Sequence, residues 1–333
     1  MSQSHFKDHP FAQYIRILGK GKTGSRSLTL DEAYRSFSMI LAGEADDIQL
    51  GAFLMLLRVK EETAEELAGF VLACRESMFR PNHDLSVNLD WSSYAGKRKH
   101  HPWYLLSALL LAQRGVRIFM HGSGGHTPGR VYSESVLPKL GYAIADNWEQ
   151  AEQQLNQHNF TFMPLATFCP ALQTIIELRP LLGVRSPVHT LSRLLNPLAA
   201  PCSLQSVFHP SYSESHQSAA SLLKQPNAMV FKGESGEAER RPEAAVETRI
   251  LRAGRHFEYT WPRLLKGRQA IPKDISTKHM LAVWREQLHD EYAEAAIIGT
   301  CAFALFLINE QLDCDQALDL ARQYWFERDT HSI

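Results

Sequence analysis

An apolar run of helix length stands between two short strand-like runs in residues 86–120. The first strand is predicted at Ser86–Asp90, the helix at Trp103–Gln113 and the second strand at Val116–Met120, after a turn at Gly115. A strand, a helix and a second strand in this order form the repeating unit of a parallel sheet, because the helix carries the chain back across one face of the sheet. This part of the chain is therefore predicted to be an α/β domain.

Similar patterns continue toward the C-terminus. Further strands and intervening helices are predicted at Thr161–Met163, Pro170–Glu177, Gln205–Val207, Tyr212–Lys224 and Ala228–Phe231. The polar segment Gly233–Thr248 is interpreted as a mobile loop, and residues 278–333 as helices.

Residues before about Arg80 show helical patterns only. Thr29 is a predicted helix cap, and Thr63 with Glu66 forms the pattern of a capping box. We therefore predict a small N-terminal all-helical domain, residues 1–82, and a larger α/β domain with a mainly parallel sheet, residues 83–333.

Composition limits the class of protein. The formal net charge of -1 argues against a protein that is basic all over, and 44% hydrophobic residues can supply a full core. Five scattered cysteines without a C-x-x-C pair indicate reduced thiols, neither a disulfide framework nor a zinc site. The N-terminus lacks a signal-peptide pattern, and the apolar stretch Ala295–Ile308 is too short to cross a bilayer. We expect a cytoplasmic protein without a membrane partner.

Two segments carry a resemblance to a known family. LAGEADDIQLGAFLMLLRVKEETAEELAGF resembles the N-terminal domain of anthranilate and pyrimidine-nucleoside phosphoribosyltransferases, with its G-E-x-x-x-x-Q-x-G-A-F-L-x-x-L-R-x-K signature. In this segment Gly51 is expected to let two helices approach closely, and Phe53, Leu54 and Leu57 to form a buried stripe. FMPLATFCPALQTIIELRPLLGVRSPVHTLSRLLNPL is similar to the family's F-x-P…HP…VR-x-x-LG-x-RT…NPL block. The resemblance implies a nucleoside phosphorylase/phosphoribosyltransferase-like fold.

The departures from the family pattern lie where its enzymes bind magnesium and pyrophosphate. Their G-T-G-G-D loop, whose glycines let backbone N–H groups wrap the pyrophosphate, is replaced by Trp91–Lys99 (WSSYAGKRK). The N-x-S-T phosphate ligands are replaced by His100–Trp103, and Met120 stands where the enzymes have lysine. The acidic D-E pair is replaced by Gly236–Glu239 (GEAE), which we interpret as a solvated acidic loop.

An intact fold with these losses resembles the YbiB-type branch of the anthranilate phosphoribosyltransferase-like (glycosyltransferase family 3) proteins. That resemblance implies a homodimer that binds DNA or RNA with little sequence preference. We assign no catalytic residue, metal site or cofactor. The alternative is a phosphoribosyl- or glycosyltransferase with an altered substrate, which would require magnesium. A third possibility is a scaffold protein that binds neither ligand.

The charge distribution supports nucleic-acid binding without reference to the family. Three stretches contain no Asp or Glu, namely Tyr14–Leu30, Trp91–Val131 and Leu178–Ser213. If they meet in the cleft between the domains, they form a basic groove that can hold phosphates. The residues predicted to contact the anion are Lys20, Lys22, Arg26, Tyr94, Lys97, Arg98, Lys99, His121, Arg179, Arg185 and Arg193.

Several of these residues have a second interpretation. Tyr94 and Trp103 could stack on unpaired bases, although Trp103 heads an apolar helix and this position favours a core residue. His121 ends a strand and is either a ligand contact or a structural histidine. Arg185 is either an anion contact or an ion-pair partner. The Lys97–Lys99 run is expected to face the cleft, because a charged loop there has no packing role.

Overall fold

A computed structural model describes residues 8–267 and 269–333 of the chain. The helices are α1 Ala12–Gly19, α2 Leu30–Leu41, α3 Asp47–Lys60, α4 Ala64–Ser77, α5 Trp103–Gln113, α6 Ser133–Val136, α7 Trp148–His158, α8 Leu165–Phe168, α9 Pro170–Glu177, α10 Arg179–Leu182, α11 Val188–Leu191, α12 Tyr212–Leu222, α13 Thr277–Trp284, α14 Glu291–Ile308 and α15 Cys314–Phe326. The strands are β1 Leu89–Ser93, β2 Ile118–Gly122, β3 Phe160–Pro164, β4 Cys202–Val207, β5 Asn227–Lys232, β6 Val246–Arg252 and β7 Arg255–Trp261.

One seven-stranded sheet organises the larger part of the molecule. Its order is β3-β2-β1-β4-β5-β6-β7, and the first five strands run parallel. The last two strands form an antiparallel hairpin on the β5 edge. The fold is therefore a small helical domain joined to an α/β domain with a mostly parallel sheet, as the sequence predicted.

The sheet separates two hydrophobic cores. On one face, α5 and α14 pack around Trp91 and Trp261, both fully buried. The other core continues from the sheet into the N-terminal helices, where Phe37, Phe53 and Phe70 are buried. The two domains therefore share apolar packing, which holds the cleft between them in place.

Local signals explain the N-terminal helices. Thr29 accepts a hydrogen bond from the Glu32 N–H and Thr63 accepts one from the Glu66 N–H, so both predicted caps are present as capping boxes. The predicted close helix approach at Gly51 is wrong within this chain. A Cβ added at Gly51 would meet no described atom within 4 Å, whereas one at Gly69 would lie 2.5 Å from the Leu30 carbonyl oxygen.

Two segments differ from the prediction. The prediction of a mobile polar loop at Gly233–Thr248 is wrong. Residues 236–240 are buried, and the segment then continues into β6, the first strand of the hairpin. The helix predicted as too short to span a bilayer begins earlier, at Glu291, and its 18 residues are long and apolar enough for a span. However, 78% of α14 is buried inside the protein, and the helix packs on α5 and α15. It is a core helix of the α/β domain.

Candidate anion-binding cleft

The strand order reverses direction at β1, since β2 lies on one side and β4 on the other. Ligands of open α/β sheets bind outside the carboxyl ends of the strands at such a switch point. The loops after β1, β2, β4 and β5 all emerge at this edge because the five strands are parallel. The site is therefore built from the segments that follow Ser93, Gly122, Val207 and Lys232.

The loop after β1 exposes backbone donors, but the chain's own carboxyl group occupies them. Glu237 Oε1 accepts hydrogen bonds from the N–H of Ala95, at 2.7 Å, and from the N–H of Gly96. Gly96 adopts a left-handed backbone with φ of 69°, and an added Cβ would lie 2.9 Å from the Tyr132 ring. Glycine is thus required here, and the resulting N–H pair is satisfied internally.

A second carboxyl group occupies the N-terminus of α5. Glu239 Oε2 accepts a hydrogen bond from the Tyr104 N–H at 2.9 Å, and Pro102, the residue before the helix, provides no side-chain cap. Helix N-termini bind anions because their first N–H groups are unpaired and their dipole is positive. Glu239 therefore takes the place that an external anion would need at this helix.

The charge of these carboxylates is balanced by Lys97. Its ammonium forms ion pairs with Glu239, at 2.5 Å, and with Glu234. Burial lowers the pKa of Lys97, but the two carboxylates outweigh burial and the net effect raises it. Burial raises the pKa of Glu239 to about 7, against the opposing influence of Lys97. Lys97 is fully buried, so the expectation that it faces the cleft without a packing role is wrong.

The ion pairs of Lys97 with Glu234 and Glu239 also decide whether a divalent metal ion can bind at this site. Magnesium beside phosphates needs carboxylates that are free to coordinate it. Here Glu234 and Glu239 already hold an ammonium, and the interpretation of residues 236–239 as a solvated loop is wrong because Glu237 and Glu239 are fully buried. Within residues 8–267 and 269–333, no group of three potential metal ligands is present. The donor set does not fit a metal-bound diphosphate.

His121 and Tyr94 belong to a buried polar chain. The Tyr94 hydroxyl lies 2.6 Å from His121 Nδ1, and His121 Nε2 lies 3.1 Å from Asp90 Oδ1. His121 is fully buried and Tyr94 is 2% exposed, so neither side chain reaches a ligand in the cleft. Their predicted ligand contacts are therefore wrong, and the structural interpretation of His121 holds.

The residues that replace the family's phosphate ligands are also packed inside. His100 stacks on Tyr292 with ring centroids 4.3 Å apart, and His101 stacks on His279 at 4.6 Å. Burial lowers the pKa of His101 to about 4, which keeps its ring neutral at pH 7. Trp103 is 1% exposed, so it is a core residue and does not stack on bases.

Two open cavities flank this internally paired centre. The first has a volume of about 280 Å³ and lies between α3, the loop after β4 and the segment around α11. Its cationic lining residues are Arg58, Arg130, Arg185 and Arg193. Burial lowers the pKa of Arg193 to about 10, and this residue remains charged at pH 7. The lining acid, Glu62, has its pKa raised by burial to about 7.

The second cavity has a volume of about 520 Å³ and lies on the other side of Arg130. Its cationic lining residues are Arg98, Lys99, Arg130, Lys232 and Arg241, which outnumber the acids Glu234 and Glu243. Because Lys97 pairs with Val131 through two backbone hydrogen bonds, the loop is fixed with Arg98 and Lys99 exposed. Arg130 and Phe208 line both cavities, which together form one basic cleft.

The structure brings together only some of the predicted anion contacts. Arg98, Lys99, Arg185 and Arg193 line the cleft. Arg179 donates to the His126 carbonyl and lines neither cavity.

The first acid-free stretch does not join the cleft either. Lys20 and Lys22 are exposed but line neither cavity, and Arg26 forms an ion pair with Glu32. Sequence patterns missed Arg58, Lys232 and Phe208. These three residues are far apart in the sequence, and only the tertiary fold brings them to the cleft.

Comparisons with known proteins agree with this architecture. Residues 12–78 match the family model of the "Glycosyl transferase family, helical bundle domain", and residues 104–324 match that of the "Glycosyl transferase family, a/b domain". The chain is 33% identical over 206 residues to the protein YbiB of Escherichia coli (strain K12). That alignment covers 61% of this chain and 64% of YbiB, so the chain spans just under two thirds of that relative.

The chain belongs to this glycosyl transferase family, in its YbiB-type branch. It is also 32% identical to an anthranilate phosphoribosyltransferase of Desulfosudis oleivorans, over 70% of this chain and 69% of that enzyme. The anthranilate phosphoribosyltransferase of Thermus thermophilus has the same fold, with a TM-score of 0.80, 21% identity and coverage of 96% and 94%. The Saccharomyces cerevisiae enzyme in complex with PRPP and Mg has a TM-score of 0.78 at 16% identity.

Proposed function

We propose that this glycosyl transferase family member binds nucleic acid, DNA or RNA, with little sequence preference through its basic cleft. The observation that carries the proposal is the internal occupation of the diphosphate site. Glu237 and Glu239 satisfy the backbone donors, and Lys97 balances the carboxylates. The exposed cations Arg98, Lys99 and Lys232 line the cavity beside them. An electropositive groove binds phosphates by charge and reads no base edges.

The test is a charge exchange on the cleft wall. Arg98, Lys99 and Lys232 are exposed, line the second cavity and form no ion pair within the part of the chain that the structure describes. Exchanging all three for glutamate should weaken binding of a labelled DNA strongly, measured by fluorescence anisotropy across a salt series. The slope of log affinity against log salt should fall by about one for each phosphate that the variant no longer neutralises.

Two control variants distinguish a specific effect of the cleft from a general effect of net charge. Each exchange to glutamate lowers the net charge by two, so Lys139→Glu with Lys224→Glu lowers it by about two thirds as much as the triple variant does. Both residues lie outside both cavities, so affinity should change little. Lys20→Glu with Lys22→Glu tests the wider groove that the sequence predicted. Unchanged affinity in the Arg98, Lys99 and Lys232 triple variant would refute the cleft as the binding site.

The second candidate is a phosphoribosyl- or glycosyltransferase with an altered substrate. The identity to anthranilate phosphoribosyltransferases, 32% over 70% of the chain, favours it. For a diphosphate to bind, Glu237 would have to leave the N–H groups of Ala95 and Gly96. Calorimetry with phosphoribosyl pyrophosphate and magnesium tests this candidate, because micromolar binding supports the transferase and an absence of heat counts against it.

We further propose that the protein is a cytoplasmic homodimer that associates through its N-terminal helices. On α3, Ile48 and Val59 are 83% and 86% exposed and lie eleven residues apart, three helical turns along one face. Gly51 lies between them on the same helix and contacts no described atom at its Cβ position. Ile48→Asp with Val59→Asp should convert the dimer to a monomer, measured by light scattering, and a dimer that survives both changes would refute this interface.

A further inference from the structure

An exposed aromatic ring lies where the two basic cavities meet. Phe208 is the first residue after β4, at the carboxyl edge of the sheet, and 48% of its surface is accessible. It lines both cavities, and the only other residue that does so in the described chain is Arg130. A large apolar side chain at the centre of a charged cleft is unusual, since burying a Phe typically stabilises a protein by roughly 1.5–3 kcal/mol.

The neighbours of Phe208 support the ring on part of its surface only. The His209 ring packs against it edge-on, with centroids 4.8 Å apart and planes 80° apart. Gly236 lies beside it, because a Cβ added there would be 3.5 Å from Phe208 Cδ2. The remaining surface of Phe208 opens into the cleft.

Cations lie on both sides of this ring. Lys232 and Arg98 line the second cavity, and Arg58 and Arg185 line the first. A strand of nucleic acid that crosses Phe208 would therefore have positive charge near its phosphates on either side. Grooves that bind single strands without sequence preference combine a cationic track of this kind with an aromatic ring on which a base stacks.

We propose that Phe208 stacks on an unpaired base of a strand whose backbone passes from one cavity to the other. The cleft then takes single-stranded nucleic acid in preference to a duplex, because paired bases are stacked on one another and offer no free face. This inference rests on the proposed nucleic-acid binding and specifies the form of nucleic acid that the site takes.

The experiment compares one single strand with its duplex. Fluorescence anisotropy is measured with a labelled oligothymidylate of about 12 nucleotides, a length within the site sizes of single-strand grooves, and with the same strand paired to oligoadenylate. Phe208→Ala should weaken single-strand binding by roughly 5- to 150-fold, the loss expected for one stacked base. Duplex affinity should change by less than about threefold, within the range of a small rim effect.

Matched variants separate stacking from other effects. Phe208→Tyr retains a flat ring and should bind as the unchanged protein does. Phe208→Trp adds an indole whose fluorescence should be quenched when the oligothymidylate binds. Phe326→Ala removes a ring that is 68% exposed and lines neither cavity, so it should leave both affinities unchanged. Thermal melting followed by circular dichroism verifies that each variant is folded.

The outcomes distinguish this inference from the proposed function. If Phe208→Ala leaves single-strand affinity intact while the Arg98, Lys99 and Lys232 exchange lowers it, the stacking site is refuted and the basic cleft stands. Equal losses for single strand and duplex also refute stacking. If the unchanged protein binds neither probe, the proposed function itself fails.

Discussion

Removing the buried ammonium of Lys97 should destabilise the protein more than any other single charge change in the cleft. In Lys97→Met, Glu234 and Glu239 keep their buried positions but lose their counter-charge. Breaking a buried ion pair by removing one partner costs roughly 3–5 kcal/mol, because the remaining charge is left in a low-dielectric environment. With a urea m-value near 3 kcal/mol/M, this loss lowers the unfolding midpoint by about 1–2 M.

The pH dependence of this loss provides an internal control. Burial already raises the pKa of Glu239 to about 7, and the pKa rises further when Lys97 is absent. At pH 5 the Glu239 carboxyl group is then protonated and adds no buried charge, whereas at pH 8 its ionisation places an uncompensated charge in the core. The destabilisation should therefore be larger at pH 8 than at pH 5, measured by urea unfolding followed by tryptophan fluorescence.

Two further variants test the reasoning. Lys97→Met combined with Glu234→Gln and Glu239→Gln removes all three charges and should recover much of the stability, because a neutral buried set carries no uncompensated charge. Lys99→Met alters the exposed neighbour and should change stability by less than about 0.5 kcal/mol. A loss below about 1 kcal/mol for Lys97→Met at pH 8, or the same loss at both pH values, would refute the buried charge cluster as the element that closes the site.

The remaining predictions concern a pH effect and two glycines. Burial raises the pKa of Glu62 to about 7, so the folded state holds a proton that the unfolded chain releases near pH 4.5. The free energy of unfolding should therefore fall by up to about 3 kcal/mol as pH rises between these values. Glu62→Gln should flatten this dependence in denaturation curves recorded at each pH. Gly233→Ala would place a Cβ 1.7 Å from the Glu237 carbonyl oxygen and should cost about 1–3 kcal/mol in a thermal melt. Gly51→Ala would place a Cβ that meets no atom of the described residues within 4 Å, and it should leave the stability of a monomeric variant unchanged or slightly higher.

The parts of the fold that the sequence predicted are those with local causes. The helix Trp103–Gln113 has the predicted limits, because Pro102 precedes it and Gly115 follows it. The hairpin β6–β7 was missed because β6 carries charged residues between its buried ones and β7 is exposed except near Trp261, so both strands resemble a polar loop when no partner strand is known. Its turn at Ala253–Gly254 carries left-handed backbone angles, a signal that Ala253 conceals.

Sequence reasoning about the site failed for a different reason. It treated Lys97, Arg98 and Lys99 as one run with one direction, whereas the chain bends at Arg98 and Lys99 directly after the bridge at Lys97. The backbone pairing of Lys97 with Val131 turns the first of these side chains into the core and leaves the other two exposed. Spacing alone could not show that Glu239, more than a hundred residues away, is the partner of Lys97.

The substituted loop and the GEAE segment depend on each other. A loop with only Gly96 retained still presents two N–H groups, and unpaired buried donors cost about 1–3 kcal/mol each, so some acceptor must reach them. Glu237 supplies that acceptor, while Lys97 compensates the second carboxylate that caps α5. Restoring glycines in the loop alone would remove Lys97 and leave Glu239 without a counter-charge. A return to diphosphate binding therefore requires simultaneous changes in both segments, and single substitutions at either one should lower stability before they create any new affinity.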